Sequence, residues 1–322
     1  MAAPLDPYLA PRVAGAPAAL VVGAMNFGKR TPRADAERII ARAIERGLTF
    51  FDTANAYADG ESEKILGRAL EGHAGARVAT KVGFGRVSGK PEGLAPERIL
   101  RAIDESLERL RRDAVDVYYL HVPDCRTPID ESIDAIGALL ANGKIRAWGI
   151  SNYASWQILD IFSRCDARSI ARPVVSQVIY NLLIRQLDLE YFAFCAAHPI
   201  HTTIFNPLAG GLLAGRHARG EAPPGRFAGN GLYLRRYWTD RFFDLVDAYA
   251  AVAHDAGMSL LQLSYAWLAQ RAGVDSILLG PASLEHLDAG IDACARGIAE
   301  ATCARIDEIH RAFLGTDTTY VR

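Results

Sequence analysis

The chain has 322 residues, 50% hydrophobic and 23% charged, with a formal net charge of −1. That balance describes a chain that buries a core and argues against a disordered one. It also lacks the basic excess that binding to nucleic acid or an anionic membrane needs. The five cysteines (Cys125, Cys165, Cys195, Cys294, Cys303) form no CxxC pair. No metal site is therefore expected, and reduced thiols in a cytoplasmic protein are. The segment Met1 to Ala24 has no basic leader, and its apolar run from Ala18 to Met25 is too short to cross a membrane.

Short β-branched or aromatic runs recur along the chain, at Ala19–Ala24, Thr49–Asp52, Arg77–Lys81, Val115–His121, Ala147–Ser151, Val174–Ile179, His201–Asn206 and Ser276–Gly280. Helical periodicity lies between several of them. Ala34–Arg46 carries Ile39, Ile40, Ala43 and Ile44 on one stripe, with Gly47 placed to end it. Pro96–Arg112 spaces Ile99, Ile103, Leu107 and Leu110 by threes and fours, and Ile129–Ala141 and Trp156–Phe162 behave alike. Asn142-Gly143 then leads into the fifth strand. The stretch Ala209–Asp240, rich in Gly, Pro and Arg, is too long for an ordinary connection and points to function. From Ala301 the chain predicts a last helix and an extended end.

Eight alternating β and α units predict one (β/α)8 TIM barrel over about residues 19–295, with a C-terminal helix and tail over about 296–322. An open doubly wound sheet is the alternative, but no GxGxxG follows the first strand.

A parallel barrel places its active site at the C-terminal ends of its strands. The polar residues there are Asp52, with Tyr57 five positions on, Lys81, His121, Ser151-Asn152, Gln177 and Asn206. A tyrosine hydroxyl is a weak acid near neutrality unless a neighbouring cation favours its phenolate. Lys81 is placed to do this, Asp52 to hold Lys81, and His121 to polarise a carbonyl or relay a proton. Each residue alone has an ordinary role: a helix cap for Asp52, packing for Tyr57 and His121, a solvated end for Lys81. Their joint placement at three consecutive strand ends is what suggests chemistry. The four together can protonate a carbonyl oxygen while a nicotinamide cofactor delivers hydride.

Asp52-Thr53-Ala54-Asn55-Ala56-Tyr57, followed by Gly60-Glu61-Ser62-Glu63, resembles the aldo-keto reductase signature. Thr80-Lys81, Leu120-His121-Val122-Pro123-Asp124 and Gly149-Ile150-Ser151-Asn152-Tyr153 continue the resemblance, which runs from about Val22 to Arg322. Later blocks, such as Phe205-Asn206-Pro207-Leu208-Ala209-Gly210-Gly211-Leu212-Leu213 and the terminal Tyr320-Val321-Arg322, are similar to the aflatoxin-aldehyde and succinic-semialdehyde reductase branch.

The resemblance implies NADPH-dependent reduction of small aldehydes (dialdehydes, succinic-semialdehyde-like or aromatic aldehydes) or ketones to alcohols by a monomer or homodimer, with Tyr57 as general acid. It implies that Ser151, Asn152 and Gln177 hold the carboxamide and that Phe205 stacks on the nicotinamide. Asn206, Leu208, Gly210, Leu212 and Arg216 would line the pyrophosphate. Gly280, Ser283, His286 and Arg226 would take the 2′-phosphate end. Met25 would border the reacting aldehyde, and Tyr233, Arg236 and Arg322 would bind a substrate carboxylate.

Two departures stand out. The loop between Arg226 and Arg236 is shorter than the branch pattern. His286, Ala289 and Gly290 replace residues that usually secure the 2′-phosphate, so NADH is also possible. The resemblance leaves two further functions open. One is an NAD-dependent sugar or alcohol dehydrogenase running oxidatively. The other is a cofactor-binding regulatory subunit like the potassium-channel β subunits.

Overall fold

The computed structural model describes residues 9, 12, 13, 15–220, 225 and 227–315. Eight parallel strands close into a barrel: β1 (Ala19–Gly23), β2 (Phe50–Asp52), β3 (Arg77–Val82), β4 (Val115–Leu120), β5 (Ile145–Ser151), β6 (Val175–Ile179), β7 (His201–Phe205) and β8 (Ser276–Leu279). Neighbours follow chain order, and β8 pairs back onto β1, with Val22 opposite Leu279. All eight predicted runs are strands of this sheet, and the open doubly wound alternative is excluded.

Alternate residues of each strand face inward, as the pleat requires. Val21, Phe50, Ala79, Val117, Tyr119 and Val175 fill the barrel, with Leu9 packed among them. Arg12 is also tied to the rest of the fold. Its guanidinium donates to the carbonyls of Ala269 (2.7 Å) and Arg271 (2.8 Å), the orphan acceptors at a helix end. The larger apolar cluster lies between the barrel and the surrounding helices.

Those helices are α1 (Arg33–Glu45), α2 (Glu61–Ala69), α3 (Pro96–Leu110), α4 (Ile129–Ala141), α5 (Ser155–Ala167), α6 (Tyr191–Ala197), α7 (Gly231–Tyr237), α8 (Asp240–Asp255), α9 (Leu260–Gln270), α10 (Leu284–Cys294) and α11 (Glu300–Leu314). Periodicity found α1, α3, α4 and α5 because each buries one stripe. It missed α9, which is buried on nearly every side from Leu263 to Ala269, so no polar face marks its period. It also missed α2, which is only nine residues long. Within α2, Gly67 lets α3 approach closely: a Cβ there would lie 2.5 Å from the Arg109 carbonyl oxygen.

The long stretch after β7 carries local structure among its described residues. It begins as a tight turn over Ala209–Ala214, and later forms α7 before Thr239 caps α8.

Candidate active site

Barrel register converges the strand-end residues. Gly23 stands opposite Asp52, Asp52 opposite Ala79, and Lys81 opposite Tyr119. Lys81 is fully buried, and its ammonium donates to Asp52 and to the Thr53 carbonyl (2.8 Å). The second oxygen of Asp52 accepts from Gln177 Nε2 (2.9 Å). Burial pushes the Lys81 pKa below the ordinary lysine value, while the Asp52 charge and hydrogen bond oppose that shift.

Tyr57 opens a tight turn in which Ala58 and Asp59 take left-handed backbone angles. That turn folds Tyr57 back over the barrel mouth, with Lys81 Nζ 5.4 Å from its ring centroid. The His121 ring stands edge-on to Tyr57 at 5.9 Å. Burial, then the Lys81 charge, holds the His121 pKa well below its usual value, so the imidazole is neutral at physiological pH. The structure therefore brings Asp52, Tyr57, Lys81 and His121 together around one mouth.

Sequence reasoning overlooked three neighbours of this group. Tyr119 lies under Lys81, 5.5 Å from ring centroid to Nζ, and hydrogen-bonds to Gln177 and Thr203. Burial and the Asp52 charge raise its pKa far above that of an ordinary tyrosine, so it stays protonated. Phe84 sits on the His121 ring at 5.0 Å. Buried Glu63 accepts from Thr80 Oγ1 (2.5 Å) and Arg109 Nε (2.6 Å), joining α2, β3 and α3 next to Lys81. The SE that follows Asp52–Tyr57 could have flagged Glu63; nothing local marks the aromatics.

Further polar and backbone groups follow the ends of β5, β7 and β8. Ser151 is buried at the end of β5, and Asn152 takes a left-handed conformation (φ 65°). The Asn152 amide donates to the His121 carbonyl and to Ser151 Oγ, both at 3.0 Å. After Phe205, Asn206 is also left-handed, and its side chain accepts from the Gly210 N–H (2.8 Å) and donates to the Tyr237 hydroxyl (2.7 Å). Gly210 itself has φ 73°, and a Cβ there would strike the Tyr233 ring at 2.7 Å. Ser283 caps α10 by accepting from the His286 N–H (3.3 Å). Arg216 Nη1 lies 3.1 Å from His286 Nε2. Burial and Arg216 both lower the His286 pKa, so this histidine adds no charge at neutral pH.

A dinucleotide fits this donor set. Glycine-allowed backbone can approach a pyrophosphate closely, the helix N-terminus at Ser283 can receive an anion, and exposed Arg216 pairs with no carboxylate among the described residues. The Leu212 side chain is wholly buried in the core, so only its backbone can line a phosphate.

Leu208 packs partly against the core, Gly280 is exposed after β8, and Met25 is 38% exposed after β1. Tyr233 lies against Phe227 and Tyr237, and Arg236 hydrogen-bonds to Tyr237. Both therefore neighbour the turn held by Asn206. Arg226 and Arg322 lie outside the described residues.

The fold is a (β/α)8 barrel whose mouth gathers a buried lysine–aspartate pair, a tyrosine and a histidine. The pattern of the aldo/keto reductase family matches residues 19–311, and the chain belongs to that family. Human aldo-keto reductase family 7 member A3 is 33% identical to it over 311 residues, covering 92% of this chain and 93% of that protein. Human aflatoxin B1 aldehyde reductase member 2 is 33% identical over 319 residues, covering 94% and 87%. Among solved structures, the glycerol dehydrogenase AKR11B4 of Gluconobacter oxydans superposes with a TM-score of 0.81 at 26% identity, covering 98% of this chain and 99% of that one. The chain is accordingly an NAD(P)H-dependent oxidoreductase of small carbonyl compounds. Among the described residues, no helix is long and apolar enough to cross a membrane.

Proposed function

We propose that this enzyme reduces small aldehydes to alcohols with NADPH, using Tyr57 as the general acid. The observation that carries this reading is a wholly buried lysine under the Tyr57 ring, beside a neutral histidine. When bound, the reduced nicotinamide supplies a hydride to the carbonyl carbon. The Lys81 ammonium, held by Asp52, stabilises the phenolate that Tyr57 becomes as its proton passes to the carbonyl oxygen. Neutral His121 orients that oxygen without competing for the proton. Ser151, Asn152 and Gln177 are assigned to the carboxamide, and Phe205 to the nicotinamide face. Asn206, Leu208, Gly210 and the Leu212 backbone are assigned to the pyrophosphate. Gly280, Ser283 and His286 are assigned to the adenosine end.

Arg216 supports NADPH over NADH. Its guanidinium faces a neutral imidazole, and an added phosphate gives it a charged partner. The similarity to human aflatoxin B1 aldehyde reductase member 2 supports aldehydes as substrates. Met25 is assigned to the reacting aldehyde, and Tyr233 and Arg236, with Arg226 and Arg322 beyond the described residues, to anionic groups.

The test is cofactor consumption at 340 nm with succinic semialdehyde, methylglyoxal and 4-nitrobenzaldehyde, using NADPH and NADH in parallel. NADPH-dependent turnover that is lost in Tyr57→Phe is the expected result. Oxidation of polyols with NAD+ and no aldehyde reduction would replace this reading with that of an alcohol dehydrogenase.

A further inference from the structure

One buried carboxylate outside the catalytic group organises its surroundings. The Glu92 side chain is only 2% exposed. Its Oε2 accepts from the backbone N–H groups of Gly83 (2.8 Å) and Gly85 (3.2 Å), on either side of Phe84. Its Oε1 accepts from Asn55 Nδ2 (2.6 Å), two residues before Tyr57, and from Arg98 Nε (2.9 Å) in α3. Arg98 is in turn held by both oxygens of Glu105, at 3.1 and 2.9 Å.

Burying a carboxylate is costly unless its oxygens are satisfied, and here two oxygens take four donors. The segment it fastens has little packing of its own. Phe84 is 56% exposed between two glycines, and the hairpin that follows, Arg86–Val87 with Lys90–Pro91, is solvent-exposed. What the clamp fixes is the Phe84 ring, 5.0 Å from His121 and tilted 39° to it.

We propose that Glu92 is a positioning residue that holds Phe84 as an aromatic wall beside His121, so that the enzyme favours aldehydes bearing an aryl group over small saturated ones. The proposal rests on the reductase reading for its turnover consequences, but not for binding. An aryl ring seated on Phe84 gains an offset or edge-to-face contact that a methyl-sized group cannot make. The Glu92 side chain holds the backbone N–H groups on both sides of Phe84, and its own N–H donates to the Gly85 carbonyl (2.9 Å), so the position of the wall follows Glu92. Glu92→Gln keeps the side-chain volume but turns an amide N–H2 toward one pair of donors.

The experiment has two arms. In the first, titration calorimetry with NADP+ present measures the dissociation constant of 4-nitrobenzyl alcohol for the parent, Phe84→Ala, Glu92→Gln and the double variant. Phe84→Ala is expected to weaken binding about three- to tenfold, the size of an aromatic pair contact. Glu92→Gln is expected to weaken it in the same direction, with no further loss when added to Phe84→Ala. That non-additivity marks action through Phe84, which a general loss of structure does not produce.

The second arm measures kcat and KM for 4-nitrobenzaldehyde and methylglyoxal. The ratio of the two kcat/KM values should fall by a similar factor in either single variant, through KM for the aryl substrate. If Glu92→Gln does not fold, Gly85→Ala perturbs the same clamp from the other side, since its Cβ would lie 3.2 Å from Glu92 Oε2. A smaller shift in the same direction is then expected.

The proposal is overturned by an aryl dissociation constant unchanged in Phe84→Ala, by no aryl binding to the parent, or by Phe84 and Glu92 losses that simply add. Absence of aldehyde turnover by the parent would instead overturn the reductase reading, and the binding arm would still decide the role of Glu92.

Discussion

Replacing Lys81 by methionine is the most direct test of how the site is built. The ammonium is completely buried, donates to Asp52 and to the Thr53 carbonyl, and fills the space between the Tyr57 and Tyr119 rings. Methionine preserves most of that volume but leaves the Asp52 carboxylate, itself 2% exposed, with Gln177 as its remaining side-chain donor. Removing one partner of a buried ion pair costs about 3–5 kcal/mol, because the other charge remains buried and uncompensated. Urea denaturation at pH 7.5, followed by circular dichroism and tryptophan fluorescence, should show a loss of about that size without a large change in slope. Adding Asp52→Asn removes the stranded charge, so the double variant should regain at least about 2 kcal/mol relative to the sum of the single losses. Both variants should be catalytically impaired, since each removes the cation beneath Tyr57 or its support. A loss below about 1 kcal/mol for Lys81→Met, or simple additivity in the double variant, would refute the idea that Asp52 and Lys81 form a mutually dependent buried pair.

Other consequences can be checked independently. Tyr57→Phe should lower kcat for aldehyde reduction about 10²- to 10⁴-fold while cofactor binding, read by fluorescence titration, stays intact. His121 takes its proton only well below pH 6.5 in the folded protein, whereas an unfolded chain takes it near 6.5. Folding is thus favoured by this group above about pH 6.5 and disfavoured as acid is added below it; the same holds for His310, whose pKa burial lowers to about 4. Denaturation midpoints between pH 7 and 4.5 should fall less steeply in His310→Gln than in the parent. Gly67→Ala should destabilise the protein by about 1–3 kcal/mol in the same denaturation assay, because its Cβ would meet α3 backbone that has no side chain to swing aside. Arg216→Ala should raise KM for NADPH more than for NADH, and equal effects on both would return Arg216 to the pyrophosphate that the two cofactors share.

The amino-acid sequence by itself determined the barrel and the chemical types at its rim. Continuous β-branched runs separated by amphipathic helices specify parallel strands, and all eight runs became strands because a strand buried on both faces needs an uninterrupted apolar character. Asp52, Lys81 and His121 were legible for the same reason. They end or immediately follow those runs, and the sheet's register carries strand ends to a common mouth. Helix α9 was not legible, because burial on nearly all sides erased the polar face that periodicity detects. Nor was the inward fate of Leu212, which sits in a glycine-rich stretch but faces the core. The partnerships that tune the site also waited on tertiary structure: Gln177 with Asp52 across 125 residues, Phe84 on His121, and Glu92 gathering donors from three segments. Local sequence fixes period and caps, but contacts between distant side chains exist only once the barrel has closed. The burial that shifts Lys81 and His121 comes from the same closure, since neither environment exists on an isolated strand.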